Sequence, residues 1–333
     1  MLAQPSFCWP VGAVFQRWMS SLMDVILHIG AHRTATTSFQ LYMRDNSAAL
    51  FQQGIGYWGP DQTRSGVFSG MYELRNGAQR DDQDDKHRIG DKLGEVERRG
   101  VTRLVISDEN LIGSVRQNIR EEALYPQVAE RVAHAIYILN GRVRGINLSV
   151  RSLEAYWCSA LAYGVGRGAP VPSRSKLARI AGSERTWRDV IADISRVAPD
   201  VKITVSQFEQ HCTRPDALFS NMGVGHVPHP NRRQRTNPAP DLPGLRRALA
   251  ARGAGPDVLP FGMGRWNPFT NAEHAALREH YADDVMWLAA GASGMAGLTE
   301  DRLSERAGIK PPQEANCKGQ IDEFEERHVA RPG

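Results

Sequence analysis

Cysteine is scarce in this chain of 333 residues. The four cysteines, Cys8, Cys158, Cys212 and Cys317, stand far apart and form no C-x-x-C pair. This spacing argues against the common zinc motifs and a disulfide framework, because both require cysteines at short, regular intervals. We therefore expect no bound metal, a reducing compartment and a cytoplasmic location.

Long apolar runs and strong net charge are missing as well. No stretch reaches the roughly 18 apolar residues that a membrane-spanning helix needs. Residues 1–21 lack a basic start followed by a long apolar core, so they do not predict a signal peptide. Lys and Arg outnumber Asp and Glu by only 41 to 37, which suits an anionic ligand but does not indicate a nucleic-acid partner.

Apolar residues nonetheless make up 41% of the chain, enough to bury a sizeable core. Short β-rich runs alternate with helical patterns. The predicted strands are 25–29, 55–58, 101–106, 145–151 and 201–205, and the longer predicted helices are 36–51, 91–99, 126–139, 152–163, 187–197, 214–222, 242–252 and 271–288. Such alternation predicts an α/β fold, a parallel sheet with helices on both faces.

The chain reads as one domain with two flanking segments. The domain covers residues 23–307. Residues 1–22 are predicted to be an extension ahead of a native start at Met23, which stands directly before the first strand. The alternative is a short amphipathic arm that uses apolar residues such as Trp9 and Trp18. Residues 308–333 are charged and carry prolines, which predicts a disordered tail.

The first strand leads into a turn with the chemistry of an anion site. Residues 25–29 stop at Gly30, small and hydroxylated residues follow, and a helix is predicted to begin near Thr36. The first turn of a helix leaves backbone N–H groups without intrahelical partners, so a strand, a tight turn and a helix together can bind an anion. Arg33 adds a forked cation suited to phosphate or sulfate.

Two common nucleotide loops do not fit this segment. The G-x-x-x-x-G-K-[ST] loop needs a second glycine and a lysine where this chain has Ala35 and Thr36, and the G-x-G-x-x-G fingerprint is absent.

The segment instead resembles the loop of sulfotransferases that use 3′-phosphoadenosine 5′-phosphosulfate (PAPS). In their bacterial members it typically reads Ile-Gly-x-His-Lys-Thr-Gly-Thr-Thr-Ser. The matching residues are Ile29, Gly30, Ala31, His32, Arg33, Thr34, Ala35, Thr36, Thr37 and Ser38. Arg33 replaces the usual lysine and Ala35 the usual glycine.

A second element of the same family lies further along the chain. In that family a later strand ends in an arginine, and a serine eight residues on joins it in holding the 3′-phosphate. Here the strand at 145–150 ends in Arg151, and Ser159 lies at that spacing, a little over two helical turns away. The resemblance covers residues 24–163. It implies a P-loop-like sulfotransferase fold, a three-layer sandwich, with PAPS as donor.

The resemblance also implies a role for each matching residue. Arg33, Thr34, Ala35, Thr36, Thr37 and Ser38 would bind the 5′-phosphosulfate, and Arg151 and Ser159 the 3′-phosphate. In the cytosolic branch of the family a glycine-bearing basic loop near the C-terminus covers the 3′-phosphate. Arg265, in 261–266, is the candidate here, and a plain surface arginine is the alternative. The acceptor would be a hydroxyl or amine of a carbohydrate, a lipid or a small molecule.

Sulfuryl transfer to a hydroxyl also requires a base and charge stabilisation on the leaving oxygen. Arg33 would stabilise that charge. Glu109 is the first candidate base, because it follows strand 101–106 at the edge where ligands bind in parallel sheets. The alternative is that Asp108 or Glu109 caps the next helix. His32 is the second candidate, with a hydrogen bond to backbone as its alternative role.

Two other functions remain open from the sequence. A non-catalytic relative that binds adenosine 3′,5′-bisphosphate or a partner is encouraged by Arg33 and Ala35. A P-loop nucleotide kinase is disfavoured by Thr36 at the lysine position.

Overall fold

Six parallel strands form a single sheet in a computed structural model that describes residues 22–68, 82–226, 228, 239–255 and 258–299. The sheet order is β2-β3-β1-β4-β5-β6. The strands are β1 (Asp24–His28), β2 (Ile55–Trp58), β3 (Arg103–Ser107), β4 (Val143–Val150), β5 (Lys202–Gln207) and β6 (Gly297–Leu298). The predicted α/β class and parallel sheet are confirmed.

The longer helices cover both faces of this sheet. They are α1 (Thr36–Asp45), α2 (Ser47–Phe51), α3 (Asp82–Arg98), α4 (Val115–Glu121), α5 (Val128–Ile138), α6 (Leu153–Gly166), α7 (Arg174–Ala181), α8 (Trp187–Val197), α9 (Pro215–Met222), α10 (Leu242–Ala250) and α11 (Asn271–Ala289). Short helical turns occupy Pro60–Gln62, Thr63–Val67, Glu109–Ile112, Phe208–His211 and Ala292–Gly294.

The predicted N-terminal extension, residues 1–22, lies outside the described residues except for Leu22, and the predicted tail at 308–333 lies outside them entirely.

The sheet separates two apolar layers. On one face, Phe39 and Tyr42 of α1 pack with Phe219 of α9 and Val105 of β3. On the other face, the larger cluster joins inward residues of β1 and β3 to α3, α5, α6, α8, α10 and α11. Strands buried on both sides consist of almost continuous Val, Ile and Leu residues, which is why β1 and β3 were predictable.

The helix predicted at 36–51 is wrong in its length. The pattern at 36–51 predicts a single helix, whereas α1 ends at Asp45 and α2 begins at Ser47. The side-chain Nδ2 of Asn46 donates to Tyr42 O at 2.8 Å, beside the backbone bond from Asn46 N to the same oxygen at 3.1 Å. Asn side chains compete in this way for backbone acceptors, and the helix axis breaks there.

The order of the strands opens a crevice beside β1. The chain leaves β1 towards β2 on one side, and the later β3-to-β4 connection crosses to the other side, so neighbouring connections diverge at the carboxyl end of β1. Ligands bind at such divergence points in open parallel sheets. The loops after β1, β3, β4 and β5 all meet at this edge.

Among the described helices, none has the length and apolar character needed to cross a bilayer.

A buried carboxylate fixes the position of α8. Asp284 of α11 accepts from Trp187 N at 2.9 Å, from Arg188 N at 3.2 Å and from Thr186 Oγ1 at 2.7 Å. Trp187, fully buried, in turn donates through Nε1 to Arg151 O at 2.7 Å. The first turn of α8 is thus capped from a distant helix and connected to the loop after β4.

We expect Asp284→Ala to lower the free energy of unfolding by about 2–3 kcal/mol, because it removes a helix cap and leaves buried amides unpaired. The matched control is Asp283→Ala at the exposed neighbouring position, expected to change it by less than about 0.5 kcal/mol. Urea denaturation measures both. Equal effects for the two variants would contradict the capping role.

Candidate functional site

The loop after β1 is fastened to β4 before it turns. Ile29 N donates to Asn147 O at 3.0 Å and Ala31 N to Ser149 O at 2.9 Å. A Cβ on Gly30 would lie 3.0 Å from His28 Nε2 and 3.2 Å from Thr36 Oγ1, so only glycine fits there without displacing its neighbours. This close approach brings the hydroxyl of Thr36 up to the loop.

The turn itself uses two left-handed residues that are not glycine. Arg33 has φ 69° and Ala35 has φ 61°. For a residue with a Cβ this region is strained by about 1–2 kcal/mol. Ala35 is the N-cap of α1, whose first internal bond runs from Phe39 N to Ala35 O at 3.2 Å. The amides of Thr36 and Thr37 precede that bond and so have no partner inside the helix.

Arg33 connects the two halves of the sequence motif. Its Nε donates to Ser159 Oγ at 3.0 Å, and its guanidinium lies 5.1 Å from the ring centre of Tyr163. Arg151 Nη1 donates to Arg33 O at 2.9 Å, and the Arg151 guanidinium stacks 4.4 Å from the ring centre of Phe208. Burial lowers the pKa of Arg33 below its usual range, yet arginine stays cationic in proteins.

These residues border a cavity of about 620 Å³, a volume typical of small-molecule and cofactor sites. Ten of the eleven residues predicted for the site line it: His32, Arg33, Ala35, Thr36, Thr37, Ser38, Glu109, Arg151, Ser159 and Arg265. Thr34 does not. Its hydroxyl, 3% exposed, donates to Ala31 O at 2.5 Å and so tightens the turn from inside.

The two acidic residues after β3 have different surroundings. Asp108, fully buried, caps the turn Glu109–Ile112 by accepting from Asn110 N at 3.0 Å. It also accepts from Thr63 Oγ1 at 2.5 Å and from two nitrogens of Arg64. The capping role considered from the sequence therefore belongs to Asp108.

Glu109 lies at the cavity wall instead. Its Oε2 accepts from Gln40 Nε2 at 3.0 Å and its Oε1 from Arg64 Nη2 at 3.0 Å. Two donors hold the carboxylate, and it remains open to a ligand because it lines the cavity.

His32 is engaged on both ring nitrogens. Its Nδ1 lies 3.0 Å from Tyr125 Oη, which also accepts from His32 N at 2.8 Å. The amide of Asn110 donates to His32 Nε2 at 3.0 Å when its oxygen accepts from Arg64 at 3.0 and 3.1 Å. In that arrangement Nδ1 carries the proton. Burial lowers the pKa of His32, so the ring is neutral. Both ring nitrogens already have protein partners, as expected of a residue that positions its neighbours.

Several contributors were not predicted from the sequence. Gln40 follows Thr36 by four residues and Tyr163 follows Ser159 by four, so helical spacing alone could have placed each on the same helix face as a predicted site residue. Phe208 follows β5 at the ligand-binding edge, a position that strand topology indicates. Arg64 carries no such signal, because it lies in an irregular helical turn and its side chain bonds Asp108 and Glu109, which are distant in sequence.

Further residues of α6 and α11 line the same cavity. Glu154 Oε2 lies 3.1 Å from Arg278 Nε and 3.5 Å from His274 Nδ1. Cys158 also lines the cavity, and burial raises the pKa of its thiol to about 12, which keeps it protonated and unreactive. Among the described residues no group of three or more His, Cys, Asp and Glu is arranged to hold a metal ion.

Comparison with known proteins gives no match to this chain from a protein-family model, a curated protein or a solved structure. The fold and the cavity therefore define the class: a parallel α/β protein with a basic, hydroxyl-rich loop at the carboxyl end of its central strand β1.

We expect Ala35→Gly to raise the free energy of unfolding by about 0.5–1 kcal/mol, because glycine reaches φ 61° without the Cβ clash. Ala48→Gly at an exposed position in α2 is the control and is expected to lower it by about 0.5–1 kcal/mol. Thermal and urea unfolding measure both. A loss of stability in Ala35→Gly would contradict the left-handed geometry.

The buried imidazole beneath the loop gives a pH dependence. His28 is fully buried, its Nδ1 lies 2.8 Å from Ser107 Oγ, and burial lowers its pKa from 6.5 to about 3. The unfolded chain therefore binds one more proton than the folded chain between these values. The contribution of the neutral His28 imidazole to the free energy of unfolding is complete above pH 6.5 and is lost as the pH falls towards 3.

We expect His28→Gln to flatten the fall in unfolding free energy over that pH range by up to about 1.4 kcal/mol per pH unit. The exposed His87→Gln in α3 is the control and should leave the slope close to that of the wild type. Chemical denaturation at a series of pH values measures the slopes. Parallel curves for wild type and His28→Gln would contradict the neutral buried imidazole.

Proposed function

We propose that this protein is a PAPS-dependent sulfotransferase that transfers a sulfuryl group to a hydroxyl or amine acceptor. The observation that carries the proposal is the convergence of Arg33, Arg151 and Ser159 on one cavity. Arg33 Nε donates to Ser159 Oγ at 3.0 Å and Arg151 Nη1 to Arg33 O at 2.9 Å. Arg33 belongs to one motif, and Arg151 and Ser159 belong to another more than 100 positions further along the chain. In the family that the chain resembles, both motifs bind the donor nucleotide.

The lining of the cavity suits a ligand with two anionic groups. The first turn of α1, with Thr36, Thr37 and Ser38, offers backbone amides and hydroxyls to one group. Arg151 and Ser159, with Arg265 at the cavity wall, offer donors to the other. The stacked ring of Phe208 lies beside Arg151 and supplies an apolar wall on which a nucleobase can rest.

Glu109 would act as the base that removes the proton of the acceptor. The carboxylate is fixed by Gln40 and Arg64 and still borders the cavity, so it can accept a proton from an acceptor hydroxyl. His32 has both ring nitrogens engaged, which favours Glu109 as the base and gives His32 a positioning role. Arg33 would stabilise the charge that grows on the bridging oxygen of the donor.

A non-catalytic nucleotide-binding protein is the second candidate. Arginine hardly gives up a proton, so Arg33 offers electrostatic help to a leaving oxygen but no acid catalysis. Ala35 in a left-handed conformation adds strain to the loop that glycine would not. Both features are compatible with a site that binds adenosine 3′,5′-bisphosphate without transferring sulfate.

The first test is ligand-induced stabilisation. We expect adenosine 3′,5′-bisphosphate to raise the melting temperature of the full chain more than AMP or ATP does at equal concentration, since a ligand that binds only the native state stabilises it. Differential scanning fluorimetry measures the shifts. Equal shifts from AMP would remove the 3′-phosphate assignment, and a larger shift from ATP would favour the kinase.

The second test separates catalysis from binding. We expect Glu109→Gln to lower kcat by about 100- to 10,000-fold, because it keeps the shape and removes the base. Glu154→Gln, the other cavity carboxylate, is the matched comparison and is expected to lower kcat less than about tenfold. Formation of adenosine 3′,5′-bisphosphate from PAPS, with sugars and lipid headgroup alcohols as acceptors, measures turnover. A Glu109→Gln protein as fast as wild type would exclude Glu109 as the base.

Arg33 variants complete that test. Arg33→Ala should lower kcat far more than donor affinity if Arg33 acts in the transition state. Arg33→Lys, which restores the residue usual in the family, should keep or increase the rate. No transfer by any variant, with tight bisphosphate binding retained, would favour the non-catalytic candidate.

A further inference from the structure

The segment between α10 and α11 projects two large apolar side chains into water. Among the described residues, Phe261 and Met263 are the most exposed large apolar side chains, at 80% and 79%. We call this pair the apolar tip. Leu259 and Trp266 of the same segment are buried, at 3% and 5%, so the tip projects from an anchored base.

The tip is held in this position by specific contacts. Leu242 N donates to Gly264 O at 2.8 Å, and Arg246 Nη1 donates to Leu259 O at 2.8 Å. The guanidinium of Arg246 also stacks 3.8 Å from the ring centre of Phe261. Gly262 and Gly264, with φ 145° and 83°, let the chain turn sharply on either side of Met263. The exposure is therefore a feature of the fold.

Positive charge exceeds negative charge in the sequence around the tip. From residue 241 to residue 270 the sequence carries four arginines and two acidic residues, Asp241 and Asp257. The arginines are Arg246, Arg247, Arg252 and Arg265. Protruding aromatic and thioether side chains between arginines are the composition of interfacial membrane anchors, where apolar groups enter the headgroup layer and cations attract anionic lipids.

A lipid surface fits this geometry better than a protein partner does. Stable protein interfaces bury about 800 Å² on each side. Two projecting side chains on a narrow turn offer much less flat area than that. A bilayer requires no complementary surface, because its headgroup layer closes around whatever enters it.

We propose that the apolar tip docks this protein on anionic lipid bilayers, with Phe261 and Met263 entering the headgroup layer and the neighbouring arginines contacting lipid phosphates. Arg265 and Trp266 line the cavity as well, so docking brings the cavity mouth to the lipid surface. Given the proposed function, and only then, the acceptor is a hydroxyl or amine presented by a lipid headgroup.

Sedimentation with vesicles tests the docking. The full chain is mixed with phosphatidylcholine vesicles, with or without about one-third phosphatidylglycerol. The test variant is Phe261→Ser with Met263→Ser. The control is Met286→Ser, at a residue of α11 that is 67% exposed and about 22 Å along the axis from the helix start. Matching melting temperatures for all proteins confirm that each variant is folded.

We expect the wild type to bind the anionic vesicles at least about tenfold more tightly than the neutral ones, and more weakly as salt rises. The double variant should bind the anionic vesicles about 10- to 100-fold more weakly, because each buried side chain contributes roughly tenfold. Met286→Ser should bind like wild type.

Three results would overturn the proposal: no vesicle binding, equal binding by wild type and the double variant, or equal loss in Met286→Ser. Self-association that only the double variant loses, without vesicle binding, would make the tip a contact between two copies of the chain. Neither the vesicle assay nor the tip variants involve the donor site, so the melting shift given by adenosine 3′,5′-bisphosphate reports the proposed function independently.

Discussion

The attachment of Arg33 to the β4–α6 corner is the contact on which the site depends. Arg33 donates from its side chain to Ser159 and accepts at its backbone from Arg151, so the loop after β1 and the loop after β4 hold each other. The left-handed backbone at Arg33 and Ala35 is strained, and such strain persists only where surrounding contacts determine the conformation. Trp187 supports the same corner by donating to Arg151 O, and Asp284 holds the helix that carries Trp187.

The cavity is lined by both acidic and basic side chains. The carboxylates that border it, Glu109 and Glu154, each lie against an arginine, Arg64 and Arg278 respectively. Pairing reduces the repulsion that a carboxylate exerts on an anionic ligand. Arg33 and Arg151 line the cavity together with the first turn of α1, so the lining favours an anionic ligand.

Much of the fold was predictable from local pattern. The buried strands are short runs of β-branched and aliphatic residues, and α8 matches its predicted range, 187–197, because Thr186 and Asp189 form a capping box before an amphipathic run. The predicted helix boundaries were wrong where the apolar pattern of the sequence was weak. The helix predicted at 91–99 begins at Asp82, since the first half of the observed helix is almost wholly charged, and α7 was not predicted.

The site residues that belong to short, contiguous sequence motifs were predictable. Arg33, Arg151 and Ser159 were found that way, and the structure brings them together. The second layer around Glu109 was not. Arg64, Asn110 and Tyr125 act through contacts between segments distant in sequence, and no periodicity in a single sequence encodes such contacts.

The central claim is that Arg151 holds a second phosphate of the donor nucleotide. Calorimetric titration of wild type and Arg151→Gln, each with adenosine 3′,5′-bisphosphate and with AMP, isolates that contact. A charge-assisted hydrogen bond predicts that the 3′-phosphate improves the Kd of the wild type by about 10- to 100-fold and that most of this advantage disappears in Arg151→Gln. An equal Kd for AMP and the bisphosphate in the wild type, or an advantage that Arg151→Gln retains in full, would contradict the account.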